Sequence, residues 1–138
     1  RIGLDALDFD SIRRQFEINA IGTLRTVEAL LGNLGKGSKL AIITSLMGSM
    51  GDNGSGGHYG YRMSKAAVNI AGKSLSVDLE PDGIGVFLLH PGWVATDMTE
   101  GTGIPPEQSA SGLIQRMDSL GMAETGTFWH QEGYALPW

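Results

Sequence analysis

Two short apolar runs, Leu40-Ala41-Ile42-Ile43-Thr44 and Gly85-Val86-Phe87-Leu88-Leu89, bracket a long amphipathic stretch. Each run is continuous rather than alternating, and the first is rich in β-branched residues. That is the pattern of a strand buried on both faces, as in a parallel sheet. Parallel neighbours cannot be joined by a hairpin; they need a crossover, usually a helix. The stretch between the runs supplies one, with helical spacing from about Tyr59 to Leu79 and a stop before Pro81-Asp82-Gly83.

The same alternation continues on either side. Asp8 or Asp10 can cap a first helix, because a carboxylate accepts the free N–H groups of a first turn. Its apolar stripe is Phe9, Ile12, Phe16, Ala20, Leu24, Val27 and Leu30 or Leu31, and Gly32 and Gly35 end it. A third helix is expected over about Glu107 to Leu120, and Gly126-Thr127-Phe128-Trp129 reads as a last strand. The order α, β, α, β, α, β predicts a Rossmann-like, doubly wound α/β layer with right-handed crossovers. Two or three strands are few for such a sheet. An open Leu-Ala-Ile-Ile edge is one that proteins normally cover. Other chain segments, or a second molecule, are expected to complete it. The first residue is Arg1 rather than Met and no signal peptide follows, so the chain reads as beginning partway into something longer.

Composition narrows the partners. A net charge of -5 without a basic block argues against nucleic acid, whose phosphates require clustered Lys and Arg. No apolar run approaches the roughly 20 residues of a membrane span. The absence of cysteine excludes disulfides and Cys-ligated zinc, and it fits a cytoplasmic protein. His58 and His90 lack a second ligand at a usual spacing, so no metal site is expected and both read as structural.

In an open parallel sheet, ligands bind beyond the C-terminal ends of the strands. Thr44-Ser45 close the first strand, Pro91-Gly92 follow the second, and Tyr61 falls in the first turn of the crossover helix. All three should meet at one edge. Tyr61 and Lys65 are four apart and share a helical face. An ammonium about 4 Å from a phenolate is worth about 4 kcal/mol at an effective dielectric of 20, before desolvation is subtracted. That is enough to make the tyrosine a usable general acid or base. The spacing by itself fits an amphipathic helix with an exposed lysine at least as well. Ser45 could polarise a carbonyl or simply bond local backbone, and Ser49, further into the loop, is a weaker candidate. Asn19 lies on the apolar face of the first helix, either as a paired core amide or as a polar relay behind the site. Trp93, Met98 and Met122 read first as core packing, and Trp129, His130, Tyr134 and Trp138 as a packed terminus or subunit contact.

Four segments together resemble the short-chain dehydrogenase/reductase family. Ile18-Asn19-Ala20-Ile21-Gly22 looks like its helix motif with a relay Asn, and Ile43-Thr44-Ser45-Leu46-Met47-Gly48 like its strand end with a catalytic Ser. Tyr61-Arg62-Met63-Ser64-Lys65-Ala66-Ala67 is similar to its Tyr-Lys motif, and Pro91-Gly92-Trp93-Val94-Ala95-Thr96 to the loop that meets the nicotinamide. The resemblance runs from about Asp8 to Trp138. The ending is most similar to a carbonyl reductase subgroup with sniffer-type and C-signal-like members. Ser45 and Tyr61 are sixteen apart, where the family often has about thirteen, a difference that glycines in residues 51 to 57 can absorb. The family's N-terminal Gly-rich pyrophosphate turn has no counterpart in the sequence, and the strands missing with it would cover the open edge, so the resemblance implies the C-terminal portion of a single Rossmann-like domain.

The resemblance implies an oxidoreductase that moves a hydride between NADP or NAD and a carbonyl or alcohol, with NADP favoured by the subgroup. Asn19, Ser45, Tyr61 and Lys65 would be catalytic. Tyr61, Lys65, Pro91, Gly92, Val94 and Thr96 would bind the cofactor, with residues 97 to 120 as a substrate lid. The long helices could pair with a second copy, as in many relatives. A different class stays open: a non-catalytic folding or association module that binds no cofactor by itself. A sugar-nucleotide epimerase sharing the Tyr-Lys pair fits less well, because the chain stops soon after the third helix.

Overall fold

The computed structural model describes residues 3–138. Three parallel strands, β1 (Lys39–Ile43), β2 (Gly85–His90) and β3 (Thr127–His130), form one sheet in that spatial order. The helices are α1 (Phe9–Phe16), α2 (Gly22–Leu30), α3 (Tyr59–Leu79) and α4 (Pro106–Ser119). The register pairs Ile43 with Leu89 and His90 with His130, so the three C-terminal strand ends are level.

β2 is the axis of the core. Successive residues of a strand point to opposite faces, and here both faces are covered. Val86 and Leu88 pack with Ala20, Ile42, Val68 and Phe128 on one side, while Phe87 and Leu89 pack with Leu113, Met117 and Leu120 on the other. All four strand residues are 0% exposed, and burying each is worth about 1.5–3 kcal/mol. The continuous apolar run therefore behaves as expected in β2. In β1 it does not: Ile42 is buried but Ile43 is 47% exposed. β1 pairs with β2 alone among the described residues, and a groove of about 420 Å³ lies along it, lined by Ile18, Thr23, Thr26, Val27, Leu40 and Ile42.

Two other expectations are corrected. The strands step in one direction across the sheet, yet α3 packs on the Val86–Leu88 face and α4 on the Phe87–Leu89 face. The two crossovers therefore have opposite hands, and one departs from the right-handed rule. The long segment 91–105 between β2 and α4 lets the chain reach the second face. The first helix is also not uniformly α-helical, although its backbone stays helical from Phe9 to Leu30. Asp8 caps it, accepting from the Ser11 amide at 3.1 Å, but a π turn at Glu17–Ile21 separates α1 from α2, with Gly22 N–H donating to the Glu17 carbonyl. The wider turn shifts the stripe around the axis. Ala20 and Val27 are buried, whereas Phe9 and Leu24 are exposed.

Candidate active site

Ser45 lies two residues past the end of β1 and is buried. Its hydroxyl oxygen accepts the Met47 amide at 3.1 Å, and its carbonyl accepts the Gly48 amide at 2.9 Å, which closes a tight 3-10 turn. With one lone pair engaged, the Ser45 O–H proton is left to donate outward. The turn lies hard against α3. A Cβ at Gly48 would stand 2.8 Å from the Lys65 carbonyl carbon and 2.9 Å from its Cβ, so only glycine lets strand end and helix approach this closely.

Tyr61 and Lys65 lie on α3 near its start, as expected. Lys65 Nζ sits 5.7 Å from the Tyr61 ring centroid, which puts the two on one face. Lys65 is half-buried, and desolvation lowers its pKa from the usual lysine range. Among the described residues its ammonium pairs with no carboxylate; the ion pairs there are Arg13–Asp10 and Arg25–Glu17. A partly desolvated cation without a protein anion marks a candidate ligand-binding position.

The sixteen-residue spacing is absorbed where expected. Gly56, Gly57 and His58 form a consecutive left-handed run (φ 64°, 69° and 49°) that turns the chain into α3. Arg62 gathers this loop, donating to Ser55 Oγ at 2.9 Å, to the Gly57 carbonyl at 3.2 Å and to the Met47 carbonyl at 3.5 Å. Ser49 is buried and ties this loop to the C-terminal tail, donating to the Trp138 main-chain oxygen at 3.1 Å and accepting the Asp52 amide at 3.1 Å.

Asn19 lies in the π turn and donates from Nδ2 to Ser64 Oγ at 3.0 Å; Ser64 in turn donates to the Tyr61 carbonyl at 2.9 Å. Its amide is thus paired with the residue next to Lys65. The Pro91–Thr96 loop begins where β2 ends. Pro91 O accepts the buried Ser109 hydroxyl of α4 at 2.6 Å, and Gly92 is left-handed (φ 83°). Val94 bridges to Ile104 and its carbonyl accepts the Thr99 hydroxyl at 2.6 Å, while the Thr96 amide donates to Thr99 Oγ1 at 3.0 Å. Trp93 and Met98 are exposed, not core, and Trp93 Nε1 donates to Thr102 Oγ1 at 3.0 Å. Met122 is exposed as well. At the tail Trp138 stacks on Phe128 with centroids 5.6 Å apart, a packed terminus.

Residues 3–124 match the sequence profile of the family described as enoyl-(acyl carrier protein) reductase. The chain belongs to the short-chain dehydrogenase/reductase family. It is 51% identical over 138 residues to 1-hydroxy-2-glutathionyl-2-methyl-3-butene dehydrogenase of Rhodococcus sp. strain AD45, covering 96% of this chain and 61% of that protein. The carbonyl reductase Sniffer of D. melanogaster superposes with a TM-score of 0.90 at 30% identity, covering 99% of this chain and 60% of that one. An NADPH-bound carbonyl reductase from chicken fatty liver superposes with a TM-score of 0.88 at 28% identity, again over 99% and 60%. The chain thus spans about three-fifths of the length of these proteins. No helix of the described residues is long and apolar enough to cross a membrane.

Sequence reasoning missed Asn69, Arg62, Ser64 and the polar role of His90. Asn69 is 3% exposed and accepts the Thr44 hydroxyl at 2.7 Å. It falls one helical turn after Lys65, and that i, i+4 offset was the signal available.

Proposed function

We propose that the complete protein is an NAD(P)-dependent reductase of carbonyl compounds, or dehydrogenase of the corresponding alcohols, and that this chain is the C-terminal portion of its Rossmann-like domain. The observation that carries the reading is the half-buried Lys65 over Tyr61, without a carboxylate partner among the described residues, beside the strand end that holds Ser45.

The donor set fits the nicotinamide end of a dinucleotide: a cation, two hydroxyls and a left-handed glycine loop at one sheet edge. A bound reduced nicotinamide supplies the hydride. Ser45, its oxygen already accepting the Met47 amide, donates its proton to the substrate carbonyl oxygen and polarises it. Tyr61 gives that oxygen a proton in the reductive direction and removes it in the oxidative one. Lys65 stabilises the negative charge left on the tyrosine oxygen and offers its remaining donors to ribose hydroxyls. Asn19, paired through Ser64, supports a polar relay toward Lys65. The backbone at Val94, the Thr96 hydroxyl and the Pro91–Gly92 turn hold the carboxamide and nearby phosphate, and residues 97–120 close over the substrate. NADP rather than NAD is favoured by the NADPH-bound carbonyl reductase.

Tyr61→Phe in the complete protein should abolish carbonyl-dependent NADPH oxidation while leaving NADPH binding within a few-fold. Undiminished turnover in that variant would sink the assignment. Calorimetric titration of NADPH and NADH against the 138-residue chain tests the portion reading separately. Saturable micromolar binding there would mean that the chain holds the whole dinucleotide without a preceding Gly-rich turn.

A further inference from the structure

Both neighbours of Ser45 are held by side chains from other elements. Thr44 is tied to α3 through Asn69, and the Leu46 amide donates to His90 Nδ1 at 3.2 Å. The second tie matters for the hydroxyl itself. Leu46 and Met47 open the turn whose Met47 amide donates to Ser45 Oγ, so fixing Leu46 fixes the direction in which Ser45 presents its proton.

His90 is built into place. It is the last residue of β2, half-buried, and its ring meets that of His130 edge-on, with centroids 5.2 Å apart and planes at 74°. His130 stacks in turn on Tyr134 at 4.5 Å. A ring that accepts at Nδ1 is neutral and carries its proton at Nε2. Protonating Nδ1 would set two N–H groups against each other and break the tie to Leu46.

We propose that His90 is a positioning residue for Ser45: the lone pair of its neutral imidazole at Nδ1 holds the Leu46 amide, and through that turn aims the Ser45 hydroxyl at the substrate oxygen. This deepens, and rests on, the catalytic reading of Ser45 and Tyr61 above. Burial does most to keep the His90 ring neutral at neutral pH. His130 on β3 also disfavours its charge, and Asp52 on the loop before α3 favours it.

The test separates acceptor from ring. Asn places its amide oxygen near the position of imidazole Nδ1, whereas Gln places it near Nε2, and both lose the ring contact with His130 equally. In the complete protein, with NADPH and 4-nitrobenzaldehyde as the probe, His90→Asn should keep kcat within about twofold of the parent. His90→Gln should lose about tenfold in kcat, the size of one hydrogen bond, with the KM for NADPH little changed. The Leu46 amide, followed by NMR, should stay protected from exchange in His90→Asn and lose protection in His90→Gln. Equal kcat in the two variants, or a Leu46 amide indifferent to both, overturns the proposal. Tyr61→Phe is run beside them. Full turnover in that variant sinks the catalytic reading and the role of His90 with it. Lost turnover there, with Asn and Gln variants alike, sinks the role of His90 alone.

Discussion

Thr44 and Asn69, 25 residues apart, join the strand that presents Ser45 to the helix that presents Tyr61 and Lys65: Thr44 Oγ1 donates to Asn69 Oδ1 at 2.7 Å, with both residues buried. Thr44→Val keeps the shape and removes the donor. Asn69 Oδ1 is then left buried without a partner, beside an Nδ2 that already has none among the described residues. The expected cost is about 1–3 kcal/mol. A lowered urea midpoint with an unchanged m-value checks it. An unchanged midpoint would mean that water replaces the hydroxyl at no loss.

How much of this was legible beforehand follows from the range of each interaction. Tyr61 and Lys65 are neighbours by helix geometry alone, so their juxtaposition could be read from spacing. Ser45 could be placed because a β-branched run ends beside it and ligands gather at strand ends. The Thr44–Asn69 and Leu46–His90 bonds depend on register between elements far apart in sequence, which no local pattern encodes. The π turn at Asn19 escaped for a related reason: one widened hydrogen-bonded ring leaves composition unchanged and only rotates the apolar stripe. The opposite hands of the crossovers are set by which face α4 chooses. Leu113 and Met117 would serve equally well on either face, so the pattern is silent.

Gly48 is the point of closest approach between the Ser45 turn and α3. In Gly48→Ala the new methyl meets the Lys65 backbone carbon at 2.8 Å and Asn69 Nδ2 at 2.9 Å. Backbone cannot step aside as a side-chain end can, so helix and turn must separate. We expect a loss of about 1–3 kcal/mol in stability and, in the complete protein, a fall in kcat larger than the change in KM. Thermal melts and steady-state rates measured on the same samples check this. A variant with parental kcat would show that the reacting groups tolerate the displacement.

Ser109 ties α4 to the loop after β2. Its hydroxyl donates to the Pro91 carbonyl at 2.6 Å and the residue is 3% exposed. Ser109→Ala leaves that carbonyl without this donor and loosens the left-handed Gly92 turn from its support. The expected effect on the complete protein is a threefold to tenfold rise in the KM for NADPH, about one hydrogen bond's worth, with kcat changed less. A variant that loses kcat at constant KM would place the contribution of Ser109 on the substrate side of the site.

Acid stability should carry the signature of His90. Burial first, then the neighbouring His130, lowers its pKa from 6.5 to about 4, with Asp52 pulling the other way. Between those two values the unfolded chain binds a proton that the folded chain does not. The stability tied to neutral His90 is therefore fully present above about pH 6.5 and is lost as the pH falls toward 4. The ring is only half-buried, so solvent screening holds the loss to about 1–2 kcal/mol. Urea unfolding across that range should show the midpoint of the parent falling with acid. His90→Asn, which keeps an acceptor for Leu46 and cannot titrate, should fall less steeply. Parallel curves for the two proteins would assign the acid loss to carboxylates instead, and would leave the His90 ring no measurable proton linkage to folding.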